Sequence, residues 1–503
     1  MRLTARYDSQ RRTQCRSISR RARPGWAALV ATVLLALNGG CAGWSIARDP
    51  YPGAPASSAT PWTAPPPARP ERTGATAGRV GPPVKVDQDL VYGLADLIDL
   101  AHRANPDTRR TWEEARAAAA QLGRSHAAYY PTLTFLANGG TSRVADQGPV
   151  PIGTFTIEGP SATPQLQLTW IILDFGRRSS TVERSSQQLT QANLTFNRKL
   201  QEVAFAVARN YFTLDASRAR VTATLVTLES AVAVEEAVAA RLTQGLATRP
   251  DFLLAKQERA RAAYEVEDAL GAVADAQAAL AESLGIPPTA QIRVADLSAL
   301  PLPTGLADTV EHVIDRALAR RPDLAARLAA VRAREAEANR ARAAFLPQLF
   351  FSGAVNQSLQ RYRAGPPFGT FSMNETEYGA FLNFEWKLFD GFERENALRE
   401  ATSQREAAQA ELAALELRTM REVWKAYADV KTALRKHEFA LALLAASEEA
   451  YASTLESYRS AGLATVIDML AAQRDLARAR TTEIQSRAEL LTASAALSFA
   501  SGD

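Results

Sequence analysis

The sequence predicts an α+β membrane protein built from one unit written twice, and three observations carry that prediction. The same landmarks recur at a fixed offset along the chain. Each copy changes from an apolar–polar alternation to a very long stretch free of glycine and proline. An export signal precedes both copies.

The repeat is read first, because it decides how every local pattern is interpreted. "LIDLAHRANPDT" (97–108) matches "VIDRALARRPDL" (313–324), setting Pro106 against Pro322 and Asp107 against Asp323 at an offset of 216. The same offset pairs Pro131 with Pro347, Trp170 with Trp386, Asp174 with Asp390 and Tyr211 with Tyr427. "GLAT" at 245–248 returns at 462–465, one residue out of step. The chain is a tandem duplication, with repeats assigned to 91–305 and 306–503.

In chain order, residues 1–25 hold eight arginines and one acid, Asp8, and an apolar run from Trp26 to Leu37 leads to "NGGC" ending at Cys41. A basic start, a short apolar core and small residues before a cut site form a secretory signal over residues 1–40. This 12-residue run rises only ~18 Å as a helix, too short for a bilayer core of ~30 Å. Cys41 resembles the acylated cysteine of a bacterial lipobox, although Asn38 stands where that motif prefers leucine. Residues 41–90 are read as a lipidated tether, and the ten prolines within 50–83 predict that it is stiff and unpacked.

Removing the signal changes the charge argument. The whole chain carries 58 basic and 54 acidic residues, and losing eight arginines and one aspartate leaves 50 against 53, or −3. The basic balance belongs to the signal, so a nucleic-acid partner loses its electrostatic basis. Cys15 lies in the signal and Cys41 stands alone after it, so no disulfide forms within one mature chain.

Each repeat opens with a helical segment (about 107–127 and 323–345), closed by Pro131 or Pro347. Strand-like runs follow. Tyr378, Ala380, Leu382, Phe384, Trp386 and Leu388 alternate with residues that include Asn383, Glu385 and Lys387, and Leu166, Leu168, Trp170 and Ile172 alternate with Gln165, Gln167 and Thr169. "TLTFLANGGT" and "QLFFSGAVNQS" continue the pattern more weakly, and loops are expected at about 143–161 and 361–375. Residues 177–244 and 393–461 then contain neither glycine nor proline, and each would be a helix of ~100 Å. Shorter helical runs, 249–284 and 465–500, return along them. Helices this long, with few large aromatics, read as coiled-coil or helical-barrel walls.

Export, runs of about 9–11 residues and aromatics next to the helices (Tyr129, Tyr130, Trp170, Phe175, Phe345, Trp386, Phe389, Phe392) favour strands crossing an outer membrane over strands of a soluble sheet. Four strands cannot close a barrel, and open edges in lipid leave backbone groups without partners, so the chain must oligomerise.

The duplicated strand-pair and long-helix plan, the paired aspartate junctions and the "GLAT" turns resemble the TolC-type outer-membrane efflux family over about residues 90–500. The lipobox-like start is similar to that of its OprM/CusC-like lipoprotein branch. The resemblance implies a homotrimer with a 12-stranded outer-membrane β-barrel continued by a 12-helix periplasmic α-barrel. It implies a passive exit duct for efflux or type I secretion, anchored in outer-membrane lipid. It also implies a periplasmic adaptor and an inner-membrane transporter of RND, ABC or MFS type as partners, and no cofactor.

Asp174 and Asp390 are expected to N-cap the long helices, Asp390 with Glu393 in a near capping box. Gly245 and Gly462 suit left-handed helix ends, and Thr248–Asp251 and Thr465–Asp468 suit capping boxes on the returning helices. The resemblance gives the same tips a function. Gly245, Leu246, Ala247 and Thr248, with Gly462, Leu463, Ala464 and Thr465, form the adaptor-docking ends, and Asp468, Asp251, Tyr458 and Arg459 belong to the periplasmic constriction. Three converging Asp468 carboxylates would raise one another's pKa and favour cations. The family's second ring acid is Ala471 here, and its nearby gating arginine is Ala464. This implies a gate with a single ring.

No catalytic motif is present, and His102, His126, His312 and His437 lack metal-ligand spacing, so neither an enzyme nor a metal site is predicted. Two rival readings remain: a periplasmic adaptor lipoprotein, with one helical hairpin flanked by β-domains, and a purely structural periplasmic coiled coil.

Overall fold

The computed structural model describes residues 53–55, 57–63, 90–147, 154–290, 292–296, 302–306, 308–364, 369–460 and 464–503. Cys41, Gly462 and Leu463 lie outside the described residues.

The duplication is visible element by element. Repeat one runs through β1 (Val91–Tyr92), α1 (Leu94–Ala104), α2 (Pro106–His126), β2 (Thr132–Gln147), β3 (Thr154–Leu173), α3 (Arg177–Thr243) and α4 (Arg249–Leu284). A two-residue strand, β4 (Arg293–Val294), then pairs in parallel with β1. Repeat two gives α5 (Val310–Arg320), α6 (Pro322–Ala343), β5 (Gln348–Ala364), β6 (Thr370–Glu385), α7 (Glu393–Ser460) and α8 (Val466–Ser501). The long helices have 67 and 68 residues and the returning helices 36 each.

Pro106 and Pro322 occupy first-turn positions, where a missing N–H costs nothing. Asn105 caps α2 by accepting from the Asp107 amide at 2.8 Å. At the far end, Gly285 ends α4 with φ 75°, and a Cβ there would lie 2.6 Å from the Asn105 Cα. Only glycine suits both the left-handed turn and the close approach.

The four long strands form one antiparallel sheet in the order β2-β3-β5-β6. They are longer than their alternating cores, at 16, 20, 17 and 16 residues, and they run through much of the expected loops. Thr156, Gly159, Ser161, Thr370 and Ser372 there sit in paired strand, because cross-strand hydrogen bonding does not require apolar side chains. Below the sheet, α2, α3, α6 and α7 lie side by side; further along, α4, α3, α8 and α7 do. Alanines make this close packing feasible, with Ala329, Ala333, Ala336 and Ala338 buried on α6.

The largest core forms where the helix pairs change over. Leu97, Leu100, Val207, Tyr211, Phe212, Leu280 and Leu284 pack together there. The repeated tyrosines serve the same purpose: Tyr211 donates its phenol to the Ala295 carbonyl at 3.0 Å and Tyr427 to that of Asp308 at 3.3 Å.

The expected unpacked tether is corrected at Gly53, Ala54, Pro55 and Trp62. Gly53 offers its carbonyl to Asn193 Nδ2 at 2.7 Å, and Asn197 grips Trp62 twice, accepting from its amide at 2.6 Å and donating to its carbonyl at 2.7 Å. Trp112 Nε1 donates to the Pro55 carbonyl at 2.9 Å, and Ala54 is buried against Ala119 and Leu189. Proline removes backbone donors, but asparagine and tryptophan side chains on α2 and α3 can still pair with the carbonyls and amides that remain.

Candidate functional site

Register gives the sheet two chemically distinct faces. Directly paired residues share a face, and the register stays constant across all four strands apart from a shift between Ile171 and Leu173. One face carries the rows Phe135–Leu166–Val355–Tyr378 and Leu133–Leu168–Gly353–Ala380, then Trp170–Phe351–Leu382. The other carries Gln167, Thr169, Gln165, Asn356, Glu377, Ser352 and Asn383, with apolar residues that include Leu136, Ile171, Phe350, Met373 and Phe381 among them. On that face Asn356 donates to Glu377 at 3.1 Å and Asn383 to the Ser352 hydroxyl at 2.8 Å. Such a sheet separates lipid from water.

The two joints between strand and helix are copies of one device. In each, two consecutive residues take left-handed φ: Phe175 (50°) and Gly176 (101°), then Gly391 (70°) and Phe392 (68°). The aspartates are not the N-cap residues themselves. Gly176 holds that position in repeat one, and Asp174 reaches over it to accept from the Arg178 amide at 2.8 Å. The two left-handed residues fold the strand end back, which brings the carboxylate over the first turn. Asp390 engages Arg394, and Glu393 contributes its backbone rather than a side-chain box.

Arg178 and Arg394 are functional residues that the sequence reading missed. Asp174 and Arg178 are 8% and 12% exposed, with Nε 3.0 Å from the carboxylate, and the guanidinium also donates to the Ile171 and Ile172 carbonyls at 2.6 and 3.0 Å. Arg178 lies over the Tyr129 ring at 5.1 Å and Arg394 over Phe345 at 5.3 Å. Trp170 and Trp386 donate to the Tyr129 and Phe345 carbonyls at 3.0 and 3.1 Å. The available signal was an arginine four residues after each aspartate.

At the opposite end, Gly245 has φ 72° and ends α3 as expected. Both capping boxes are present. Thr248 and Thr465 donate their amides to Asp251 and Asp468 at 2.9 Å each, and accept from the aspartate amides at 3.4 and 3.2 Å. The threonine hydroxyl and amide hold each carboxyl below the usual carboxylate range. A depressed folded pKa means that the stabilisation is complete above the ordinary value and lost as pH falls through the folded one. Hydrogen exchange at the Thr248 and Thr465 amides should therefore stay slow down to the ordinary value of 3.8 and quicken below it.

Tyr458 is buried beside Val234, Val238, Met469 and Leu470, beneath the Arg241 guanidinium at 4.4 Å. Among the described residues its hydroxyl has no partner. Arg459 is exposed, so these two neighbours do not act as a pair. Ala247 and Ala464 pack against the Tyr458 cluster, whereas Leu246 is exposed. Among the described residues no group of His, Cys, Asp or Glu is arranged to hold a metal, and no helix is long and apolar enough to cross a membrane.

A two-faced antiparallel sheet, joined through rigid clamps to long helix pairs, defines a membrane conduit with a helical extension. The comparisons identify which kind. The profile described as outer membrane efflux protein matches residues 97–286 and again 313–503, and the chain belongs to that family. It is 30% identical over 496 residues to Protein CyaE of Bordetella pertussis, covering 97% of this chain and 96% of that one. It is 28% identical over 389 residues to Outer membrane protein OprJ of Pseudomonas aeruginosa, covering 76% and 78%. A solved membrane protein from Pseudomonas aeruginosa superposes with a TM-score of 0.70 at 25% identity, covering 81% of this chain and 93% of that one. The outer-membrane channel OprN shares the fold, with a TM-score of 0.69 at 20% identity and coverage of 89% and 99%.

The protein is thus an outer-membrane channel for efflux or secretion that extends into the periplasm of a Gram-negative cell. The family is one of transport channels rather than enzymes. The adaptor reading finds no support, since the family profile matches both repeats and the helical hairpin occurs twice.

Proposed function

We propose that three copies join head to tail into a 12-stranded barrel continued by a 12-helix periplasmic tube, forming a passive exit duct. The observation that carries this reading is the pair of free sheet edges. β2 and β6 run antiparallel to one another, and among the described residues neither has a partner on its outer side. In hydrocarbon such edges are costly, and pairing β6 of one copy with β2 of the next removes both. The helical edges agree. Leu270 on α4 and Phe439 on α7 are exposed, and each lies 21 residues from the tip end of its helix. Apolar side chains at equal height on opposite edges suit a cyclic contact.

In this reading the "GLAT" tips dock a periplasmic adaptor, an inner-membrane transporter supplies the work, and acylated Cys41 anchors the start of the chain. Asp468 forms the constriction. Convergence of three copies opposes the Thr465 hydrogen bonds that lower its pKa within one chain. Asp468→Ala should raise single-channel conductance and weaken cation preference in planar bilayers. An unchanged conductance and selectivity would remove Asp468 from the gate.

A further inference from the structure

The arginines of the strands gather on one face of the sheet, with Glu158 as the acid beside them. Strand pairing places Arg143, Arg361 and Arg363 on the same face as Phe135, Leu166, Val355 and Tyr378. Glu375, Glu377 and Glu385 fall on the opposite, polar face.

The arginines also share a height. Arg143, Glu158 and Arg363 lie in one pairing row, and Arg361 is one step lower on the same side of β5. From Leu349, where the apolar face begins, to Arg361 is 12 residues. That is ~40 Å along a strand, or ~30 Å along the membrane normal at a tilt of ~40°. This matches the thickness of a hydrocarbon core. The arginines therefore stand at the headgroup level farthest from the helices, facing lipid rather than the channel.

We propose that Arg143, Arg361 and Arg363 form an outward collar that binds the phosphate groups of lipid headgroups in the outer leaflet. On β5 the surface follows Val355 and Leu359, with the polar Gln357–Thr376 row between them, and its charge complements phosphate. Guanidinium groups suit phosphate because two parallel N–H donors meet two oxygens. Glu158 is the acid in this row and neutralises the collar only in part: its carboxylate is 3.7 Å from Arg143, with the two side chains 48% and 74% exposed. Among the described residues Arg361 and Arg363 have no ion-pair partner. Head-to-tail closure would repeat the collar around the barrel, so the inference rests on the barrel reading above.

The test uses the full-length protein in detergent, with native mass spectrometry counting bound lipid. Bisphosphorylated lipid A, its dephosphorylated counterpart and inorganic phosphate are the probes. Each arginine near an anionic surface contributes about fivefold, so Arg143→Gln, Arg361→Gln and Arg363→Gln combined should weaken lipid A binding by about a hundredfold. The dephosphorylated lipid should bind the unmodified protein as weakly as lipid A binds the triple variant, and millimolar phosphate should displace no lipid. Undiminished lipid A binding by the triple variant, equal binding of the dephosphorylated lipid, or displacement by inorganic phosphate would each overturn the collar. The three single variants, each expected at about fivefold, keep the test decisive if the triple variant does not assemble. Three singles indistinguishable from the unmodified protein would also overturn it. Planar-bilayer conductance of the unmodified protein separates the two readings: its absence removes the barrel, whereas normal conductance with unchanged lipid binding in the variants removes only the collar.

Discussion

Asp174→Ala is expected to destabilise the protein by about 3–5 kcal/mol, well beyond the ~1 kcal/mol of an exposed helix cap. The difference follows from burial. With Asp174 removed, Arg178 keeps its carbonyl partners at Ile171 and Ile172 but loses the carboxylate that it holds, at 12% exposure. An uncompensated guanidinium at the joint should loosen the Tyr129 and Trp170 contacts, and with them the angle between sheet and helix. Asp390→Ala should act in the same direction, since Asp390 holds Arg394 at the second joint. Paired replacement with Asp174→Asn and Arg178→Met should cost much less than Asp174→Ala alone, because no buried charge is stranded. Denaturant unfolding of the detergent-solubilised protein checks all three. A loss near 1 kcal/mol for Asp174→Ala would mean that the aspartate is only a cap.

Arg321→Met is the second large effect, expected at about 3–5 kcal/mol. Arg321 is 3% exposed and holds Asp323 at 2.6 Å and Glu422 at 2.9 Å. It also packs under the end of α8, where a Cβ on Gly502 would come within 3.2 Å of its Cγ and amide. Arg198 completes the knot from repeat one, with its guanidinium 3.7 Å from the Phe499 ring centroid and donating to the Phe499 carbonyl at 3.0 Å. Burial alone would raise the pKa of Asp323, but the Arg321 hydrogen bonds and the Arg198 charge outweigh it and hold the carboxyl below 3.8. A depressed pKa stabilises the fold fully above the ordinary value, and that contribution fades as pH falls through the folded value. The unmodified protein should thus lose this contribution as pH falls below 3.8, whereas Arg321→Met, which lacks most of it already at neutral pH, should lose less stability on acidification. Parallel pH profiles for the two proteins would contradict this.

The duplication made most of the fold legible before any coordinates. A fixed offset ties Trp170 to Trp386 and Asp174 to Asp390, and glycine-free stretches mark the long helices to within a residue or two. Strand ends were less legible. Alternation persists only where one face meets lipid, so the polar ends of β2, β3, β5 and β6 resembled loops. The joint was half visible: the aspartates stood out, but Arg178 and Arg394 looked like ordinary first-turn cations. Their burial depends on the left-handed Phe–Gly and Gly–Phe pairs, which local propensity does not foresee. Gly53, Ala54, Pro55 and Trp62 were misread for a related reason. Proline content suggested an unpacked segment, while the partners that hold it, Asn193, Asn197 and Trp112, lie over 45 residues away in sequence.

Closure of the sheet by neighbouring copies is the central claim, and edge-strand crosslinking tests it most directly. Thr134→Cys on β2 would be combined in turn with single cysteines at alternate positions of β6, from Glu377 to Glu385, and oxidised in isolated outer membranes. The account predicts a covalent ladder that stops at three chains, with the yield peaking at one position on β6. A ladder that stops at two, continues past three or never forms would contradict it.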